Sequence, residues 1–358
     1  MKILHLGQNI PDARVEKSMI TDLDAGNKVA LVGTNFNSFT FDKLSDVPCF
    51  TMKVGFKEQI GRADNSVKSQ LASFIEDFDP DVIHAHDIYN AGFARLFDIP
   101  FLYNDHEAWS FKIKETAPQG SLISKKYWRR YYGLRVRRKW ILKNEPEILR
   151  GRVTISVSDT LRKFHEDSGA TAYCIHNFPL KEEAKALQID EKIENSVAYV
   201  GRDMRASSNP YRDTSGFLQA VKDQNLQLGV IGDDSLKSSG NIKSYGFVNH
   251  NQINELLLPY EFGALAYQPN PFHKFTDHVK MYHYLFSGLY IIAPDSFSLS
   301  HIPFVTYFSD MSELRKVIEG TNKVDSKEIQ KYAFSNFIWE GESKKQTEAT
   351  KLTLERGV

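Results

Sequence analysis

Short runs of apolar, β-branched residues alternate along the chain with longer segments whose apolar positions recur every three or four residues. This is the pattern of a parallel sheet covered by helices. Residues 2–6, 28–32, 82–85 and 101–103 read as strands, and 14–25 and 66–78 as helices. In the second helix Leu71, Phe74, Ile75 and Phe78 fall on one face. A long helix is expected over 123–149, then strands at 153–157 and 173–175. After a polar stretch at 180–195 the alternation restarts with a strand at 197–200, a helix at 215–223, a strand at 226–231 and a helix at 252–258. A strand at 263–267, a helix at 277–286, a strand at 290–293 and mainly helices from 311 onward follow. Two doubly wound α/β domains in tandem account for this, the first over 1–179, a linker at 180–195, and a second starting at 196. Sheets of this kind bind ligands beyond the carboxyl ends of their strands, so chemistry is sought just after each strand.

The 358 residues suffice for two cores, and 41% hydrophobic with 25% charged residues is ordinary for a soluble globular protein. Acidic and basic residues balance at 45 each. The balance fails locally: 116–144 holds no acidic residue, and nine Lys or Arg fall between Lys125 and Lys143. Cys49 and Cys174 are too few and too far apart for a disulfide scaffold, which fits a reducing, cytoplasmic setting. The first apolar stretch turns polar at Gln8, too soon for a signal peptide, and no apolar run reaches the ~18–20 residues that span a bilayer. The expectation is a soluble protein, or one lying on the inner face of the cell membrane.

His84-Ala85-His86-Asp87 closes one predicted strand and Asn104-Asp105-His106-Glu107 the next. Three histidines and three carboxylates suit general acid–base work or recognition of sugar hydroxyls, and they equally suit helix capping. No cysteine partner or His-Glu-x-x-His spacing supports a metal site, so none is expected. Lys280 and His283, three apart on the predicted helix, share a face, and a helix N-terminus favours a diphosphate. Arg202 follows the strand at 197–200, with Arg212 ten residues on. Arginine grips phosphate in a bidentate way. The loops around Gly232 and Gly246-Phe247 allow close backbone approach of a base and ribose, or are simple turns. No Gly-x-Gly-x-x-Gly or Gly-Lys-Ser/Thr follows a strand, which removes most support for dinucleotide and P-loop readings. The Asp-x-Asp pairs Asp22/Asp24, Asp77/Asp79 and Asp79/Asp81 sit at helix ends or before a strand, and read as turn chemistry. In the basic segment Tyr127, Tyr131, Leu134, Ile141 and Leu142 form a stripe interrupted by Arg138. Cations with Trp128 and Trp140 suit an anionic membrane surface, while the stripe alternatively packs on the sheet. Nothing else points to nucleic acid.

Together the motifs resemble GT-B glycosyltransferases of family 4. Asp81-Val-Ile-His-Ala-His-Asp87, Leu102-Tyr-Asn-Asp-His-Glu107, Ala198-Tyr-Val-Gly-Arg202, Tyr245-Gly-Phe-Val248, Ala266-Tyr-Gln-Pro-Asn-Pro271, Lys280-Met-Tyr-His-Tyr-Leu285 and Ser287-Gly-Leu-Tyr-Ile-Ile-Ala293 stand in the family's order. Gly7 fits its opening strand–helix loop, and Phe337-Ile-Trp-Glu340 its closing helix. The resemblance implies two facing Rossmann-like domains with a cleft between them: an acceptor domain at 1–179, a donor domain at 196–336, and a helix at 337–358 crossing back.

The resemblance further implies a nucleotide-sugar donor, a UDP-sugar above others, and a saccharide or lipid-linked saccharide acceptor in cell-surface polysaccharide or glycoconjugate synthesis. It implies no cofactor and no required metal. Arg202 and Arg212 match the residues that neutralise the donor diphosphate, His106 the residue near the donor sugar, and Phe247 the stretch beside the base. Gly7, His84, His86, Tyr267, Lys280 and His283 complete the expected substrate contacts. Phe275 and His283 stand where many retaining members carry two glutamates. The helix looks closer to the inverting glucuronosyltransferases of xanthan assembly, in which a first-domain carboxylate activates the acceptor; Asp105, Glu107 and Asp87 are the candidates. A non-hydrolysing UDP-sugar epimerase and a non-catalytic sugar- or nucleotide-binding protein are the rival readings.

Overall fold

The computed structural model describes residues 1–34, 36–52, 65–118, 120–184, 187–189, 191–202, 204, 209–249 and 252–357. The chain forms two compact units, one of residues 1–114, 120–177 and 342–358, the other of 115–119 and 178–341.

The first unit carries a parallel sheet of β1 (Lys2–Asn9), β2 (Lys28–Thr34), β3 (Cys49–Met52), β4 (Val82–His86), β5 (Phe101–Asp105), β6 (Val153–Ser156) and β7 (Thr171–Cys174). Their spatial order is β3-β2-β1-β4-β5-β6-β7. Helices cover it, among them α1 (Ala13–Asp24), α2 (Asn65–Phe78), α3 (Ile88–Ala94), α4 (Trp109–Glu115), α5 (Lys125–Leu149) and α6 (Asp159–Asp167). The strands β4 and β5 are buried along their whole length, polar His84, His86, Asn104 and Asp105 included. Leu4, Leu6, Val32, Ile83, Tyr89, Tyr103 and Ile141 share one core. Asp12 starts α1 by accepting from Arg14 N (3.0 Å) and Val15 N (3.2 Å), and Ser124 starts α5 by accepting from Tyr127 N (3.1 Å).

The second unit carries β8 (Ile193–Val200), β9 (Gln227–Ile231), β10 (Ile242–Ser244), β11 (Tyr260–Ala264), β12 (Tyr290–Pro294) and β13 (Val305–Phe308), in the order β10-β9-β8-β11-β12-β13, again all parallel. Its helices are α7 (Ser215–Asp223), α8 (Ile253–Leu257), α9 (Val279–Phe286), α10 (Leu314–Gly320), α11 (Ser326–Asn336) and the start of α12 (Trp339–Arg356). Tyr284 of α9 ties two strands together: its hydroxyl accepts from Val200 N (3.0 Å) and donates to Ala264 O (3.1 Å). Gly263 makes this possible, since a Cβ there would come within 2.0 Å of the Tyr284 ring.

Several boundaries differ from the expected ones. The strands β3, β10 and β13 were not legible, because each is a short edge or near-edge strand with partly exposed positions. The run expected as a strand at 263–267 starts earlier, at Tyr260. Leu265, Ala266 and Tyr267 form a buried loop whose apolar character reflects burial alone. The stretch expected as a linker belongs to the second unit from Phe178, and β8 begins inside it; residues 185–186 and 190 lie outside the described residues. From Glu342, α12 belongs to the first unit, where Gln346 Nε2 donates to Ser18 O (2.8 Å).

Each sheet reverses its strand order once, between β1 and β4 and between β8 and β11. Those two points are where the carboxyl-end crevices of doubly wound sheets take ligands.

Candidate active site

At the first switch point, β1 ends beyond Gly7, β4 ends at His86-Asp87, and β5 ends at Asp105-His106-Glu107. Asp87 is the N-cap of α3, its Oδ1 accepting from Ile88 N (2.9 Å) at φ 86° and ψ 155°. That backbone region is essentially restricted to glycine, and strain of this kind gathers at functional sites. Burial, then the charges of Glu107 and Asp105, raise the Asp87 carboxyl well above the usual range. Its proton affinity is moved toward that of a general base working near neutrality.

Asp105 is committed differently. Its Oδ1 accepts from Glu107 N (3.1 Å) and Ala108 N (3.0 Å), and Oδ2 lies 3.4 Å from His165 Nε2. Glu107 pairs with Lys112 and is partly exposed. Of the three carboxylates, Asp105 shapes the turn, Glu107 carries a countercharge, and Asp87 is part-buried and strained.

The histidines form a chain inside the unit. His5 of β1 sits in register with His84 of β4. His5 Nδ1 lies 2.9 Å from His86 Nε2, and His86 Nδ1 lies 3.1 Å from His106 Nε2. Burial, followed by the neighbouring imidazoles of His106, His5 and His84 for His86 and by Arg14 for His106, pushes both well below the usual imidazole range. His84 is 1% exposed: its Nδ1 lies 3.2 Å from Asp22 Oδ2 and its Nε2 bonds Thr350 Oγ1 at 3.0 Å. Asp22 is not turn chemistry, as its Asp-x-Asp setting suggested. It is buried on α1, and the inward-facing histidines of the sheet are the reason. Arg14 is anchored by its guanidinium to the carbonyls of Ile175 (2.8 Å) and His176 (3.2 Å).

At the second switch point Lys280, in the first turn of α9, holds its Nζ 4.3 Å from the ring centre of Tyr199 and 4.8 Å from that of Tyr267. Burial opposes its charge, but Tyr199, Tyr267 and Tyr284 outweigh it and keep the ammonium above the ordinary lysine range. His278, the residue before α9, is pushed well below its usual range by burial and then by Lys280, His273 and Arg212. Lys280, His273 and His278 all pack around the Tyr267 ring. Arg212 is exposed beside Tyr211, and Arg202 lies 5.9 Å from the ring of Phe247, itself 61% exposed. The loops after β8, β9 and β10 are laced together: Gly232 N donates to Gly246 O (2.7 Å) and Phe247 N to Asp234 Oδ1 (2.6 Å). Gly232, at φ 102°, faces Gly201 O so closely that a side chain would strain it. His283 follows Lys280 by three residues on α9. Its Nδ1 meets Asn254 Oδ1 of the α8 segment at 2.7 Å. Phe275 is buried, so no carboxylate stands at that position.

Sequence reasoning passed over His5, Tyr199 and His278. A lone histidine inside the apolar strand β1 and a tyrosine two residues before Gly201 were the available signals.

Residues 23–178 match the model of Glycosyltransferase Family 4. No curated protein matches the sequence. Among solved structures, a sucrose-phosphate synthase from Thermosynechococcus elongatus aligns with TM-score 0.68 and 14% identity over 98% of this chain and 99% of that one. A glycosyltransferase from Rickettsia africae aligns at 0.63 and 14%, over 99% and 98%. An α,α-trehalose 6-phosphate synthase from Burkholderia multivorans aligns at 0.61 and 11%, over the whole of both chains. The fold is that of GT-B glycosyltransferases, two Rossmann-like units with parallel sheets of seven and six strands. Fold and family match together support a glycosyltransferase.

Proposed function

We propose that the protein transfers a sugar from a uridine nucleotide sugar to a hydroxyl of a saccharide or lipid-linked saccharide, with inversion, in the synthesis of a surface polysaccharide or glycoconjugate. The observation that carries this reading is the Lys280 ammonium fixed over Tyr199 and Tyr267 at the β8/β11 switch point, with Arg212 near the same His278. A preset cation costs no reorganisation when charge develops on a leaving diphosphate. The α9 N-terminus and Arg202 add to it, and no divalent ion is required at the diphosphate. Gly246 and Phe247 border the base, and Tyr267 and the Lys280 side of α9 face the sugar phosphate.

In the first unit the acceptor hydroxyl gives its proton to Asp87, with Glu107 as the alternative base. The acceptor oxygen bonds to the anomeric carbon as the bond from that carbon to the phosphate oxygen breaks, and UDP leaves with the electron pair. Gly7, His86 and His106 line the acceptor side. The α5 segment supplies a membrane contact: Ile123 (95% exposed), Trp128, Tyr132 and Val136 project beside the cations of 125–143. No helix among the described residues is long and apolar enough to cross a membrane, so contact is with the surface.

A thermal-shift panel of nucleotides and nucleotide sugars tests the reading, because a ligand that binds only the folded state raises Tm. Uridine nucleotides are expected to raise it above the other nucleotides. A panel with no response from any nucleotide would overturn it.

A further inference from the structure

We propose that His5, Asp22 and His84 bind one divalent transition-metal ion of the zinc class inside the first unit. The three come from β1, α1 and β4, and all are at most 1% exposed. His5 Nε2 lies 3.1 Å and His84 Nδ1 3.2 Å from Asp22 Oδ2, and the ligand atoms all lie within 4.8 Å of one another. Such separations suit a common ion held at about 2.0–2.2 Å from each nitrogen and oxygen.

Two observations point to a cation there. First, His5 Nε2, His84 Nδ1 and both oxygens of Asp22 make no hydrogen bond of proper angle, although all are buried. A buried carboxylate left in this state is costly. Second, the tautomer of His84 is set from outside. Thr350 Oγ1 donates to Gln346 O (2.8 Å), so it accepts from His84 Nε2–H (3.0 Å). With Nδ1 unprotonated, His84 turns that lone pair onto Asp22 Oδ2, a repulsive contact that a bound ion converts into two bonds. Both histidines also have the outer partner that ligating imidazoles use, Thr350 for His84 and His86 for His5. Two imidazoles and a carboxylate suit zinc or another borderline divalent ion better than magnesium or calcium.

The ion would also orient the rest of the chain. With His5 Nε2 on the metal, His5 Nδ1–H donates to His86 Nε2, and His86 Nδ1–H donates to His106 Nε2. Its effect on transfer is thus to position His106. The diphosphate ligands proposed above belong to the other unit, so this site stands independently of the proposed activity.

The test is metal content of the tag-free, dialysed protein, followed by titration of the metal-stripped protein with Zn²⁺ and with Co²⁺ monitored by visible absorption. About one retained equivalent and cobalt ligand-field bands are expected. Asp22→Asn and His84→Gln should weaken binding by more than the roughly 10–100-fold that outer-partner changes cost. Should those variants fail to fold, Thr350→Val keeps all three ligands and should weaken binding by roughly 10–100-fold. A folded native protein that neither retains nor binds metal would overturn the proposal. So would binding unchanged by these substitutions, or nitrogen NMR showing His84 protonated on both nitrogens after zinc addition.

Discussion

Lys280 stands over the ring of Tyr199 at 4.3 Å, while His283, one turn along the same helix, turns to Asn254. The lysine is thereby fixed at the sheet's switch point without an acidic partner among its ring contacts. Lys280→Ala should raise the dissociation constant for UDP roughly ten- to hundredfold, from the ~1.5–3 kcal/mol of a hydrogen bond to a charged group. Isothermal calorimetry reads this directly, and unchanged affinity would remove Lys280 from the site.

Asp87→Asn should abolish transfer and leave UDP affinity intact, since the amide keeps the size and capping oxygen but cannot take a proton. Because burial, Glu107 and Asp105 raise the Asp87 carboxyl, the active ionised form is lost as pH falls through that raised value. The rate should therefore drop toward acid at a pH well above that of an ordinary carboxylate. Normal turnover in Asp87→Asn with loss in Glu107→Gln would hand the role to Glu107.

Glu145 of α5 is buried, accepting from the hydroxyls of Tyr103 (2.9 Å) and Ser110. Burial, then the charge of Asp105, pushes it up to about 8. Its stabilising contribution is complete below about 4.5 and is lost as pH rises to about 8, at most about 4–5 kcal/mol. Glu145→Gln mimics the neutral acid and should remove that loss, so above pH 8 the variant should melt higher than the native protein. A lower melting temperature there would contradict the assignment.

Replacing Arg129, Arg130, Arg135 and Arg137 by Gln should release the protein from anionic liposomes, and salt should weaken binding of the native chain as the screening length shrinks from about 10 Å at 0.1 M to 3 Å at 1 M. Arg138 is spared because it donates to the carbonyls of Ile113 (3.0 Å) and Lys114 (2.9 Å). The expected stripe on α5 divides: Leu134 and Ile141 are core, whereas Tyr131 and Leu142 are exposed. Equal co-sedimentation of both proteins would reduce the helix to a solvated surface.

The central strands and long helices were legible because burial on both faces writes itself as apolar runs, and helical faces repeat every 3.6 residues. Edge strands such as β3 and β13 bury too little to leave that mark. Lys280 could be picked out from its place near a helix start, but Tyr199, which holds it, comes from another strand. His283 lies three residues from Lys280, about 60° around the helix, enough for its Nδ1 to reach Asn254. Asp22 was misread for a related reason. Its partners His5 and His84 meet it only through the β1–β4 register, which no local pattern specifies.

The most direct test of the account is UDP release from a panel of UDP-sugars supplied with saccharide and lipid-linked acceptors. At least one UDP-sugar should yield UDP and a new glycoside in equal amounts, with the yield falling sharply in Lys280→Ala. A folded, nucleotide-binding protein that releases no UDP from any donor, or that converts a UDP-sugar to its epimer while keeping UDP attached, would contradict it.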